Sequence, residues 1–215
     1  MPRVYVYVVK YDFGFAPNPF HGTCTLACCM PVIRRGAKIN DWIIGMGGRD
    51  LKATGRCIYA MQVTSAMTFD EYWNHEAYIR KRPKRNGSRV AMVGDNIYRH
   101  DPQGEQWLQE NSVHSRPDGS QDPQNTAHDV SEDRVLLSRN FIYFGRSAPE
   151  VPPDVIASVG YRNGRGHRVF SMEDSAVFLD WIIGQSDGEM NRVVGDPFQL
   201  RQGDRRFSRE KNRLI

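Results

Sequence analysis

Residues 15–30 read FAPNPFHGTCTLACCM and hold three of the chain's four cysteines, a histidine and two prolines. Three kinds of chemistry fit these residue types. His21, Cys24, Cys28 and Cys29 have the spacing H-x2-C-x3-C-C. Structural zinc sites draw their ligands from two knuckles separated by a longer gap, and neighbouring cysteines rarely share one tetrahedral ion. No metal is therefore expected. A nucleophilic thiol needs a base within reach, which His21, His114 or His167 could supply from elsewhere in the chain. The third reading is that the cysteines are small buried hydrophobes.

Asn18 and His21 lie on a proline-flanked loop that leaves a strand, with Thr25 close behind. An amide donates and accepts at once, so such a loop can read the edge of a heterocycle, although Asn-Pro is equally a turn signal. The run GDNIY, residues 94–98, brings Asp95, Asn96 and Tyr98 to a turn or to the rim of a site. Trp107, Gln109 and His114 fall in a polar stretch where an isolated indole either plugs the core or stacks on a ligand. Trp42, Tyr72 and Trp73 read as core residues or as a stacking platform. Should the protein be an enzyme, Asp95, His114 and His21 are the acid–base candidates. The chain has no phosphate-binding glycine loop, no G-x-S-x-G, no H-E-x-x-H and no zinc-deaminase signature.

These residues need a scaffold. RVYVYVVK (3–10) reads as a strand, residues 12–23 as an irregular loop and 23–30 as a short helix. Asn40-Asp41 turns into a strand at 42–46, and residues 55–64, apolar on both faces, form a central strand. Thr68 with Glu71 makes a capping box that starts a helix running to about residue 80, before Pro83. RVAMV (89–93) reads as a strand and the region 99–133 as polar and without periodicity. Strands at 134–138 and 140–145, a helix after Pro152-Pro153, a strand at 167–170 and a helix capped by Ser171 and Asp174 complete the pattern. Strands and helices do not alternate strictly, so the expected class is α+β: a curled, partly closed mixed or antiparallel sheet flanked by two or three helices.

The 215 residues carry a net charge of +4, unevenly spread. Residues 80–89 hold six cations and no acid, and residues 201–215 hold six cations against two acids. Residues 101–133 hold eight acids against one arginine. Arg80, Lys81, Arg82, Lys84, Arg85 and Arg89 are thus candidate phosphate ligands, with a solvated loop as the plain alternative. No apolar run approaches the roughly 20 residues of a membrane span. A cytoplasmic protein with reduced thiols follows, in one domain over 1–200 with a basic tail at 201–215.

Taken together, YDFGFAPNPFHGTCTLACC, DWIIGMGG, IYAMQVTSAMTFDEYW, MVGDNIYRH with WLQENSVHS, and NFIYFGRSAP resemble the second type of nucleotide-modification-associated domain of bacteria and phages, over residues 4–165. That resemblance implies a role around modified DNA bases. A looser architectural resemblance links the order of turn, Trp-bearing strand, strand and helix to the PUA-like group, small barrels that hold a nucleotide or flipped base. The expectation is a module that binds a modified base or nucleotide through Asn18, Thr25, Trp42, Tyr72, Trp73, Asn96, Tyr98, Trp107 and Gln109, with DNA and DNA-modifying enzymes as partners and no cofactor. An enzyme acting on such a base and a scaffold subunit of a modification complex are the alternatives.

Overall fold

A computed structural model describes residues 1–215. In chain order the elements are β1 (Arg3–Val9), β2 (Cys24–Leu26), α1 (Pro31–Gly36), β3 (Trp42–Gly47), β4 (Cys57–Gln62), β5 (Ser65–Met67), α2 (Phe69–Asn74), α3 (Arg89–Met92), β6 (Tyr98–His100), β7 (Trp107–Gln109), α4 (Pro123–Asp129), β8 (Val135–Ser138), β9 (Asn140–Tyr143), α5 (Pro153–Ser158), β10 (His167–Ser171), α6 (Ala176–Gly184), β11 (Arg192–Val193), β12 (Phe207–Ser208) and β13 (Arg213–Leu214). The class is α+β, as the mixed order of elements leads one to expect.

The main sheet has the order β10-β1-β3-β4-β9-β11. Its centre follows from composition. β1, β3 and β4 are buried along nearly their whole length, and runs apolar on both faces can sit only where both faces are covered. β1 and β3 run parallel, while β4 is antiparallel to both β3 and β9. Glycine at position 45 makes room for an aromatic neighbour, since a Cβ there would stand 2.3 Å from the Tyr59 ring. Tyr59 in turn donates a hydrogen bond to the Tyr7 hydroxyl at 3.0 Å.

A second sheet, β2-β8-β5, grows out of the first. The chain passes from β4 to β5 and from β8 to β9 with only one or two residues between, so both sheets share two bent ribbons. β10 and β11 remain separate edges, so the sheet does not close into a barrel. One hydrophobic core surrounds the main sheet. The other packs Phe13, Phe15, Phe69, Tyr72 and Tyr98 behind the second sheet.

Local signals explain several departures from expectation. The capping box is present: Glu71 N donates to Thr68 Oγ1 at 3.2 Å and Thr68 N to Glu71 Oε2 at 2.8 Å. The helix it starts breaks at His75, which is extended and accepts from Ala77 N, and a 3₁₀ turn over Glu76–Lys81 follows. Residues 89–92 are helical rather than a strand, because Ser88 caps the Ala91 N–H and Gly94, just beyond the C-cap Val93, must lie against the Lys81 carbonyl. Residues 24–26 are a strand rather than a helix, since β-branched Thr25 and its neighbours pair with β8. The polar region contains the β6–β7 hairpin and α4, the latter capped by Asp122. Residues 201–215 do not trail loosely. Phe207 N donates to Val113 O at 2.8 Å, and β12 and β13 form a hairpin.

Candidate functional site

Two buried polar networks meet at the Cys28-Cys29 pair. In the first, Thr25 Oγ1 donates to Asp95 Oδ2 at 2.5 Å and the Tyr72 hydroxyl to Asp95 Oδ1 at 2.9 Å. Lys81 Nζ donates to Asn18 Oδ1 at 2.8 Å and to Thr25 Oγ1 at 3.0 Å. Asn18 Nδ2 reaches Val93 O at 3.0 Å, and Asn96 Nδ2 reaches Tyr72 O at 2.9 Å. Burial pushes the Asp95 carboxyl up to about 6, against the pull of Lys81, Thr25 and Tyr72, and burial lowers Lys81. All of these side chains are at most 1% exposed. Apart from Asn96 Oδ1, which has no partner, the network is closed on itself and ties the irregular loop, the second sheet and the 3₁₀ turn together. Asn18, Thr25, Tyr72, Asp95 and Asn96 therefore come together, as a clamp with its donors and acceptors directed at one another rather than at an open hollow.

The second network joins segments far apart in sequence. His114 Nδ1 lies 2.7 Å from Asp129 Oδ2, and His114 Nε2 lies 3.6 Å from Cys29 Sγ. Asp129 also accepts from Cys29 N at 2.8 Å and from the Tyr98 hydroxyl at 3.0 Å. Gln109 Nε2 donates to that hydroxyl at 2.9 Å and to His114 O at 3.2 Å. Arg34 is fully buried and donates to the carbonyls of Cys29, Asp129, Glu132 and Arg134. It thereby fixes the Cys29 turn against the end of α4. Burial alone would lower His114. The adjoining Asp129 carboxylate and Cys29 outweigh it and push the imidazole up to about 10. Burial likewise opposes ionisation of Asp129, yet His114 and Arg34 hold it down at about 2. This is a thiol, an imidazole and a carboxylate in line, with the carboxylate setting the ring orientation. Such an arrangement can take a proton from the thiol and return it.

Cys28 faces the other network, donating to Asp95 O at 3.6 Å, and burial raises its thiol. Cys28, His114 and Asp129 lie close enough that three ligand atoms could converge. Those atoms already bond to protein partners, which favours the hydrogen-bonded reading over a metal centre.

Cys29 and His114 open into a cavity of about 190 Å³ where the two hydrophobic cores meet. Tyr7, Tyr11, Phe13, Phe15 and Phe207 line it, together with Met30 and Val113. Lys10 and Arg209 also line it, and neither has a carboxylate partner within salt-bridge distance. Arg209 Nε is buried without a hydrogen-bond partner. A small aromatic hollow with two cations lacking carboxylate partners suits a flat ring with an anionic group attached to it.

The remaining sequence candidates lie elsewhere. His21 is exposed, apart from Asp95 and His114, so the three do not form one catalytic group. Trp42 is a core residue of β3. Trp73 is stacked by Arg82 at 3.8 Å and Arg99 at 4.2 Å, and it borders an open polar cleft with His100. Trp107 packs on His100 at 3.7 Å. Tyr98 and Gln109 support His114 and Asp129 from behind. Among the basic residues, Lys81 is buried and cannot reach a surface phosphate. Arg85 donates to the carbonyls of Met92, Gly203 and Asp204, and Arg89 pairs with Asp204 at 2.8 Å. Arg80 and Lys84 stay exposed and uncommitted. Sequence reasoning missed Asp129, Arg34 and Phe207, and reached Arg209 only as one of the C-terminal arginines expected to hold phosphates. Only the strained turn at Cys29 and Met30 carries a local cause, and it is invisible without coordinates.

No helix is long and apolar enough to cross a membrane. Comparison with known proteins matches residues 1–204 to the family described as nucleotide modification associated domain 2. No curated protein and no solved structure matches the chain.

Proposed function

The chain belongs to the nucleotide modification associated domain 2 family, which ties it to nucleotide or DNA modification systems, and from that premise we propose that it seats a modified nucleobase in the aromatic cavity beside Cys29 and His114. The single observation that supports this reading is the cavity itself. Five aromatic side chains, two unpaired cations and a thiol–imidazole pair converge on one small hollow. Its volume is below the roughly 300–1,000 Å³ of sites for drug-sized ligands, so it accommodates one ring rather than a whole nucleotide. Lys10 and Arg209 are then placed to meet the phosphate of a nucleotide whose base is inside.

Titration calorimetry with deoxynucleosides and deoxynucleotides, carrying modified and unmodified bases, tests it. Stacking on an aromatic ring is worth about 1–3 kcal/mol per base, so Phe207→Ala should weaken binding by about 5- to 150-fold. Arg209→Ala should weaken the nucleotide more than the nucleoside. Binding that is absent for every compound, or unchanged in Phe207→Ala, removes the proposal. DNA as the physiological carrier of the base, and DNA-modifying enzymes as partners, belong to the same reading.

A further inference from the structure

We propose that Cys29 is the nucleophile of an acyl-transfer centre, with His114 carrying the proton and Asp129 as the positioning residue, acting on an amide or ester substituent of the base held in the cavity. The inference rests on the reading above for its substrate and on different atoms for its chemistry.

Three independent features of the turn between β2 and α1 support it. First, Cys29 is the one cysteine that is not fully buried, and it lines the cavity. Second, Cys29 and Met30 both have left-handed backbones, with φ of 60° and 41°. Non-glycine residues held there cost on the order of 1–3 kcal/mol each and persist only where their surroundings determine them. Here Asp129 Oδ1 accepts from Cys29 N at 2.8 Å and Arg34 Nε donates to Cys29 O at 2.9 Å, so the peptide is pinned on both sides. Third, the Met30 N–H donates to no acceptor in the chain, although its neighbour Cys29 N does. An uncommitted N–H directly after a nucleophile, at a strained strand-to-helix turn, is the donor that stabilises an oxyanion in acyl-transfer enzymes.

The remaining thiols do not compete. Cys24, Cys28 and Cys57 are fully buried, and burial pushes Cys24 up to about 12 and raises the other two.

In the first step the one proton shared between Cys29 Sγ and His114 Nε2 resides on the nitrogen, and the sulfur electron pair forms a bond to the carbonyl carbon. The displaced π pair resides on oxygen, facing the Met30 N–H. Collapse of this adduct breaks the bond to the amine or alcohol, which leaves with the proton from Nε2. Water then attacks the thioester and gives a proton to Nε2. The S–C bond breaks, and sulfur recovers its proton. The sum is amide or ester plus water giving acid plus amine or alcohol.

The test uses the full chain with N4-acetyl-2′-deoxycytidine, N6-acetyl-2′-deoxyadenosine and p-nitrophenyl acetate. Acid quench and peptide mass spectrometry should find an acetyl group on Cys29 of the unaltered protein. Steady-state deacetylation of at least one nucleoside should fall by about a thousandfold in Cys29→Ser. Thermal unfolding confirms that the variant is folded. Acetyl on other residues only, or equal rates in Cys29→Ser, overturns the assignment. Nucleoside binding that persists in that case leaves the cavity reading standing and sinks only the chemistry. Loss of binding in Phe207→Ala with Cys29 still acetylated by p-nitrophenyl acetate supports the thiol centre independently.

Discussion

Replacing Asp129 by Asn removes the charge that holds His114 protonated while keeping the size of the side chain. The carboxyl is lower in the folded chain than in the unfolded one, about 2 against 3.8. At about 1.4 kcal/mol per unit, it contributes about 2–3 kcal/mol. That contribution is present above pH 3.8 and is lost as the pH falls toward 2. The imidazole is higher when folded, about 10 against 6.5, which corresponds to about 5 kcal/mol. This contribution is complete below pH 6.5 and fades as the pH rises toward 10. The two figures measure one interaction from its two ends and differ. We adopt the smaller, because the His114 shift also contains the pull of Cys29. Both windows overlap between pH 3.8 and 6.5, where Asp129→Asn should cost most. For a chain of this length, a loss of 2–3 kcal/mol lowers the melting midpoint by about 5–10 °C. Scanning calorimetry of both proteins at pH 2.5, 5.5 and 9.5 reads the effect directly, with pH values chosen at roughly the centre and two flanks of the window. The gap should be widest at the middle pH and narrow on both sides. A gap that is constant with pH, or absent at the middle value, refutes the charge pairing of His114 with Asp129.

Other outcomes follow from the closed network and the backbone. Lys81→Met removes the buried cation that reaches Asp95 through Thr25 Oγ1 and strips donors from Asn18 and Thr25, which should cost about 1–3 kcal/mol. Asp95 has a folded pKa near 6 against 3.8 unfolded, so its protonated form stabilises below 3.8 and that benefit is lost as the pH rises through 6. The variant should therefore lose less stability near pH 5 than near pH 8 in urea unfolding, and equal losses count against the network. Gly94→Ala would place a Cβ 2.3 Å from Lys81 O and 2.7 Å from Pro83 N, both backbone atoms that cannot swing aside. It should cost about 1–3 kcal/mol or more, seen as a lower urea midpoint, and a neutral result argues against that close approach. Brief alkylation of the native protein with iodoacetamide should label Cys29 before the other three thiols, which mass mapping of peptides checks.

The parts of this architecture that could be read from sequence are those decided by local pattern. β1, β3 and β4 announce themselves through β-branched and aromatic runs, and the Thr68–Glu71 box marks a helix start through two reciprocal bonds. Where tertiary contacts decide, pattern fails. Residues 89–93 read as a short strand, yet Arg89–Met92 turn helical under Ser88, and residues 24–26 pair with a strand more than a hundred residues later. The polar residues Asn18, Thr25, Tyr72, Asp95 and Asn96 read in sequence as groups around a ligand, whereas buried together they hydrogen-bond one another and the backbone. Nothing in their types distinguishes a clamp from a ligand pocket. The pairing of Cys29 with His114 and Asp129 spans 85 and 100 residues. Separations of that size carry no local signal, so three possible bases for the thiol stayed open until the chain was folded.

The match to the family ends at residue 204, just short of Phe207 and Arg209. The thiol, imidazole and carboxylate all fall inside the shared span, whereas the residues that close the hollow over them do not. Phe207 and Arg209 sit on the β12–β13 hairpin, so the shape and charge of the hollow's outer wall are carried by a segment separate from the turn and the loop that hold Cys29 and His114.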